Sequence, residues 1–177
     1  MNKRSGADAA GARVAAATAS WLAVVRAYNL CDRLLSARLA ELGVRVGEHE
    51  VLANLARQPG ITQQELAGRC FVAKSGVSML LGAMEEARLV RRELDAGDAR
   101  VRRLFLTAAG ERLARRTLAV QAAVVEAMAD PVTAGELDSV ADVMRRVGAR
   151  LEAILATRPV SPASVLRSRR PPPARRG

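Results

Sequence analysis

Any chemistry in this chain falls to its arginines. Arg91, Arg92, Arg100, Arg102 and Arg103 crowd into one short segment, against Glu93, Asp95 and Asp98. A guanidinium makes charge-assisted, often bidentate hydrogen bonds to phosphate oxygens and base edges, so this grouping suits recognition of a polyanion. Just upstream, Lys74, Ser75, Gly76, Ser78 and Met79 form a run with short or small side chains. Nothing nearby is equipped to break a bond. The chain has one histidine, His49, and two cysteines, Cys31 and Cys70, at no metal-ligand spacing. It offers no nucleophile–base pair, no paired carboxylates in a plausible cleft and no phosphate-cradling glycine loop. The expectation is binding without catalysis: no enzyme, no cofactor and no metal.

Such side chains act only when elements hold them, and Ile61 to Gly110 changes structural period three times. A helix from Glu48 to Arg57 turns Val51, Leu52 and Leu55 inward, and Gln58-Pro59-Gly60 breaks it. Thr62 with Glu65 three residues on is a capping box that starts the next helix, which carries Gln64, Leu66, Ala67 and Cys70. After a turn at Phe71 to Ala73, another helix buries Val77, Leu80, Leu81 and Met84. Its other face holds Ser75, Gly76, Ser78, Met79, Gly82 and Ala83. A surface helix without a task normally carries Lys, Glu or Gln there, whereas one lying in a DNA groove needs small or hydrogen-bonding residues. Val90–Leu94 and Val101–Leu106 alternate as strands around Asp-Ala-Gly-Asp-Ala-Arg. Helix, turn, helix and basic hairpin form the pattern of a winged helix-turn-helix, with phosphates or a minor groove as targets of the wing. A merely solvated hairpin is the alternative.

Long helices flank this unit. Ala15 to Leu42 repeats apolar residues at Trp21, Val25, Tyr28, Leu35, Leu39 and Leu42, with a second face at Leu22, Leu30 and Leu34 and Gly43 placed to end it. Thr107 caps a helix with Leu113, Val120, Val124 and Met128 that runs to Asp130-Pro131. Thr133 and Glu136 form a second capping box, followed by a seam of Leu137, Val140, Met144, Val147, Leu151 and Ile154. These helices carry more apolar surface than the small lobe needs and predict a dimerisation platform. The organisation expected is a disordered 1–13, a mainly α domain over 14–157 and a disordered Pro/Arg-rich tail over 158–177. Within the domain, 45–110 is the DNA-binding lobe, while 14–44 and 111–157 are dimerisation helices.

The formal charge of +10 supports a polyanionic partner, but six arginines lie in the acid-free tail from Arg158 onward, leaving about +4 for the rest. Only two of the 28 basic residues are lysines, so the tail reflects a chain-wide arginine bias. The N-terminus has no long apolar run, and no later stretch is expected to reach bilayer length, so no membrane partner and a cytoplasmic location are expected. Cys31 and Cys70 are expected to act as small buried hydrophobes.

On the GEHEVLANLA helix, TQQELAGRC, the KSGVS start of the second helix, LVRREL, the DAGDAR turn and LTAAG, the chain resembles the MarR family of bacterial transcription regulators over about residues 20 to 155. The resemblance implies a mainly helical homodimer with recognition helices in successive major grooves of double-stranded DNA and wing arginines in the flanking minor grooves. It places Arg100 at the wing tip as the foremost minor-groove contact, with Asp98 holding the wing in shape. Lys74, Ser75, Ser78 and Met79 fall where family members meet bases or phosphates, and Thr62, Gln64, Gly76, Arg92, Arg102 and Arg103 complete the candidate DNA-binding set. The chain departs from the pattern at Met79 and Ala99, where basic residues are common, and at Arg88, where a glycine usually ends the recognition helix. The resemblance also implies a small aromatic or phenolic effector, for which Trp21, Tyr28 and His49 are the candidate lining. The function expected is a homodimeric repressor that binds a pseudo-palindromic operator and is released by such an effector. The alternative is a non-specific architectural DNA binder using the wing and tail.

Overall fold

The computed structural model describes residues 3–70, 74–95, 97–98 and 100–157, with the side chains of residues 3–8, 10, 74 and 75 outside that description. The expected turn at Phe71 to Ala73, Ala99 and the tail 158–177 therefore lie outside the described residues.

The order is α1 (Lys3–Ala40), α2 (Val46–Arg57), β1 (Ile61–Thr62), α3 (Gln63–Arg69), α4 (Lys74–Glu86), β2 (Val90–Leu94), β3 (Arg102–Leu106), α5 (Ala108–Ala129) and α6 (Ala134–Ala156). The first helix starts at Lys3, which corrects the expectation of disorder for residues 3–13, residues 1 and 2 lying outside the description. Its early alanines have the highest intrinsic helix propensity, which favours the longer helix. A second correction concerns length. The stretch Gly11–Ala40, 30 residues, is long and apolar enough to cross a membrane by length and composition alone. Alanines between the larger hydrophobes raise its apolar character without forming a run conspicuous by eye.

Helix ends follow local chemistry. Gly43, at φ 70°, stops α1 with Val44 N–H donating to Leu39 O (3.1 Å) and Gly43 N–H to Ala40 O (2.9 Å), a Schellman closure with Leu39 and Val44 both buried. The backbone N–H and guanidinium of Arg45 both donate to Glu48, each at 2.8 Å, across the first turn of α2. Thr62 and Glu65 close the expected capping box on α3: Glu65 N–H donates to Thr62 Oγ1 (3.2 Å) and Thr62 N–H to Glu65 Oε2 (2.7 Å). Thr133 and Glu136 do the same for α6.

The C-terminus of α4 is closed in the same way as that of α1, with Leu89 N–H donating to Met84 O (2.9 Å) and Arg88 N–H to Glu85 O (2.8 Å). Here Arg88 occupies the left-handed position at φ 56°, where a Cβ crowds the backbone. Arg88→Gly should therefore raise stability by about 1 kcal/mol, strain relief outweighing the extra freedom glycine gives the unfolded chain. Urea denaturation checks this as a higher midpoint at unchanged slope.

The sheet has three antiparallel strands in the order β1-β3-β2. The expected two-stranded hairpin is present, but Ile61 and Thr62 add a third strand by pairing with Leu104 and Arg103. Two residues are too few to show a period, so this strand exists only through its partner. Val90, Arg92 and Leu94 of β2 face Leu106, Leu104 and Arg102 of β3 across the register. The core gathers Val51, Leu52 and Leu55 of α2, Ile61, Leu66, the Val77, Leu81 and Met84 face of α4, Val90, Leu104, Leu106 and Ala114. On α5 the buried face runs through Gly110, Ala114, Thr117 and Val124, while Met128, expected on the inner stripe, is exposed.

The chain divides into two units, one reaching to Met128 and one beginning at Ala129. In the second, α6 has no buried residue: its whole expected seam from Leu137 to Ile154 lies exposed, as do Val143 and Leu155. In the first, α1 exposes Trp21, Leu22, Val24, Tyr28, Leu30 and Leu34.

Candidate nucleic-acid interface

The wing loop is built around Asp95, a residue that the sequence reading left without a role. Its Oδ1 accepts the backbone N–H of Gly97 (2.8 Å) and of Asp98 (3.1 Å), and its Oδ2 accepts Arg103 Nε. The Arg103 guanidinium, followed by the two amides, holds this carboxyl below its ordinary range. An aspartate two residues before a glycine is the signature of an Asx turn, the signal that could have identified it. Asp95 N–H donates to Val101 O and Val101 N–H to Asp98 O, both at 2.9 Å, which closes the loop.

On this frame the five arginines divide by task. Arg103 also donates from Nη1 to Gly60 O (2.8 Å), tying the wing to the turn before α3. Arg92 pairs with Glu85 of α4 at 3.2 Å. Arg91 pairs with Glu93 and lies over the Phe105 ring, 4.9 Å from its centroid. Arg100 stands out at the tip, its side chain 90% exposed, gripped in a fork by Asp98 through Nε to Oδ1 (3.1 Å) and Nη2 to Oδ2 (3.2 Å). That fork, with the Arg100 backbone N–H, keeps Asp98 ionised below its ordinary range. Arg102 is exposed and has no ion pair among the described residues.

Recognition-type residues of α4 sit on one open face. Ser78 and Ala83 are exposed, Met79 is 78% exposed, and Gly76 and Gly82 are half-buried. The side chains of Lys74 and Ser75, both expected contacts, lie outside the described residues. Thr62 is committed to its capping box, whereas Gln64 on the first turn of α3 is exposed.

A separate cavity of about 290 Å³ lies among α1, α2, α3 and α5. It brings together Tyr28 and His49, two of the three residues expected around an effector, with Leu35, Gln121, the cations Arg57 and Arg69 and the carboxylates Asp32 and Glu50. Trp21, the third expected residue, is not among its lining residues and is 63% exposed. Arg69 is positioned by Gln58 Oε1, which accepts from its Nη1 at 2.7 Å. Cys31 borders the cavity, and the Cys70 thiol is pushed up to about 11 by burial, with Glu50 adding to the shift. At neutral pH the Cys70 sulfur is therefore held as the thiol and not as the nucleophilic thiolate.

His49 is 3% exposed, and burial lowers its pKa against an opposing hydrogen bond with Gln121, with Arg57 adding to the depression. Below the ordinary value of 6.5 the unfolded chain takes up a proton that the folded imidazole resists. The contribution is thus complete above that pH and is lost as pH falls. The melting temperature should drop between pH 7.5 and 5.5, and His49→Gln should flatten this slope while leaving the carboxylate-driven loss at lower pH.

A profile of the MarR family matches residues 42–101. The transcriptional regulator HosA of Escherichia coli is 31% identical over 100 residues, spanning 56% of this chain and 74% of its own. The crystal structure of AbsC, a MarR family transcriptional regulator from Streptomyces coelicolor, superposes with a TM-score of 0.70 at 24% identity, covering 77% of this chain and 94% of AbsC. That of the Mycobacterium tuberculosis MarR family protein Rv2887 in complex with salicylic acid gives 0.58 at 27% identity, over 70% and 92%. A regulator matched along three quarters of its length, together with a family profile lying over the helix-turn-helix, the first wing strand and its loop, places this chain in the MarR family of winged helix-turn-helix transcriptional regulators.

Proposed function

We propose that the chain works as a homodimeric repressor that binds a pseudo-palindromic operator and is released by a small aromatic acid. The wing carries this reading. A loop fixed by Asp95, Asp98 and Arg103 presents Arg100, and beside it Arg102, while the neighbouring helix α4 exposes a face of small residues and one methionine. Arg100 enters the minor groove, with Asp98 setting its direction until DNA replaces it. Arg102, Ser78, Met79, Gly76, Gln64, Lys74 and Ser75 make the remaining contacts. Arg92, Arg103 and Thr62 act chiefly from within, by fixing the wing and α3.

Dimerisation over 14–44 and 111–157 is supported by the apolar faces that α1 and α6 leave uncovered in one chain, a pattern that a second copy would bury. The effector belongs in the 290 Å³ cavity, its carboxylate toward Arg57 and Arg69 and its ring beside Tyr28 and Leu35. Rv2887, a relative in fold and family, was crystallised with salicylic acid. Such a ligand acts by favouring a dimer whose two recognition helices are wrongly spaced for the DNA.

The test is an anisotropy titration of the full chain against the DNA upstream of its reading frame, with and without benzoate-type acids. The expected result is two chains per duplex, affinity at least a hundredfold above scrambled DNA, and release by the acid. Binding no tighter than to scrambled DNA, and abolished by removing residues 158–177, would establish the architectural alternative instead.

A further inference from the structure

On α4 the four nearest surface neighbours of Met79, three and four residues away on either side, are Ser75, Gly76, Gly82 and Ala83, all small. Nothing in the fold asks for the two glycines. Neither has a positive φ, and a Cβ at either would meet no atom within 4 Å, so each weakens the helix for no internal reason. The Met79 side chain, 78% exposed, projects from a face on which α4 itself carries no charged residue until Glu86 among the described side chains, at the edge of a depression that Gly76, Met79 and Ala83 share with Arg45 and Glu48.

A thioether makes no useful bond to a phosphate, so when this face enters a major groove Met79 meets base edges. The apolar group displayed there is the C5-methyl of thymine. We propose that Met79 is a specificity-determining residue that reads a thymine methyl at one fixed position of each operator half-site. This rests on the chain being a sequence-specific DNA binder. The half-site position is then read by shape and burial instead of by charge. Gly76 and Gly82 let the helix backbone come close enough for the methyl to be covered.

The experiment starts by selecting a duplex from a random library with the full chain, then replaces each thymine in turn by deoxyuridine, which keeps every hydrogen bond and lacks only the methyl. The expected result is one position per half-site at which uracil weakens wild-type binding about fourfold, as for loss of one buried methyl. Met79→Ala, an exposed substitution, should bind thymine and uracil duplexes equally, and Met79→Leu should keep most of the penalty. Uracil that costs nothing at any position overturns the proposal. So does a uracil penalty of equal size in wild type and Met79→Ala, which assigns the methyl to another residue. A selection that enriches no sequence overturns the operator-binding function beneath it, an outcome distinct from both.

Discussion

Replacing Gly110 by alanine is expected to remove about 3 kcal/mol of stability, a large share of what a domain of this size holds. Gly110 lies in the first turn of α5, where Thr107 Oγ1 accepts its N–H at 3.1 Å. A Cβ there would sit 2.0 Å from the carbonyl oxygen of Leu89, 3.0 Å from its carbon and 3.3 Å from Leu106 Cδ2. The obstacle is backbone, so no side-chain rotation relieves it. Leu89 O also accepts the Thr107 N–H at 3.0 Å, and Thr107 Oγ1 donates to Arg88 O at 2.6 Å. Any shift that makes room breaks the joint linking the end of α4, the start of β2 and the cap of α5. Urea denaturation should show the loss, and an unchanged midpoint would contradict the close approach. Gly82→Ala is the opposite case: with nothing within 4 Å, it should gain up to about 1 kcal/mol from helix propensity.

The second large effect is on binding. Arg100→Ala is expected to weaken operator affinity about tenfold per wing, near a hundredfold for a two-winged complex, with the dimer intact by sedimentation. The Asp98 fork holds the Arg100 side chain in one arrangement before DNA arrives, and the groove must replace that exposed pair on docking. Arg100→Lys keeps the charge and loses the two-point geometry, and should recover only part of the affinity. Arg103→Ala should behave differently. Its partners are Asp95 and Gly60 O, so its loss should loosen the wing and lower stability along with affinity. If Arg100→Ala left affinity unchanged, the wing tip would not be a contact.

That contrast marks where sequence stops being informative. Periodicity and capping are properties of a few adjacent residues, and they were legible. Val51, Leu52 and Leu55, the Val77, Leu81 and Met84 face, both Thr–Glu capping boxes and the Gly43 stop all follow from local spacing and reappear in the structure. So did the fold class, because a capped short helix, an apolar-faced helix and an alternating hairpin in this order satisfy few other architectures.

What depends on a distant partner was not legible. An arginine reads the same whether it faces solvent or closes an internal bond, so only the structure separates Arg92 on Glu85 and Arg103 on Asp95 from the outward Arg100. The two-residue β1 exists through Leu104 and Arg103. The cavity draws Arg57, Arg69 and Gln121 to Tyr28 and His49 from separate helices and leaves Trp21 outside. The glycine that ends LTAAG is a motif letter in the sequence, and in the fold it is the point where α5 touches the carbonyl of Leu89. The sequence by itself thus determined the elements, their ends and their order, since these are set by interactions within a turn or two of chain. The tertiary structure alone decided which charges are spent inside, which cavity forms and which glycine is indispensable, because each is fixed by atoms brought together from far apart in the chain.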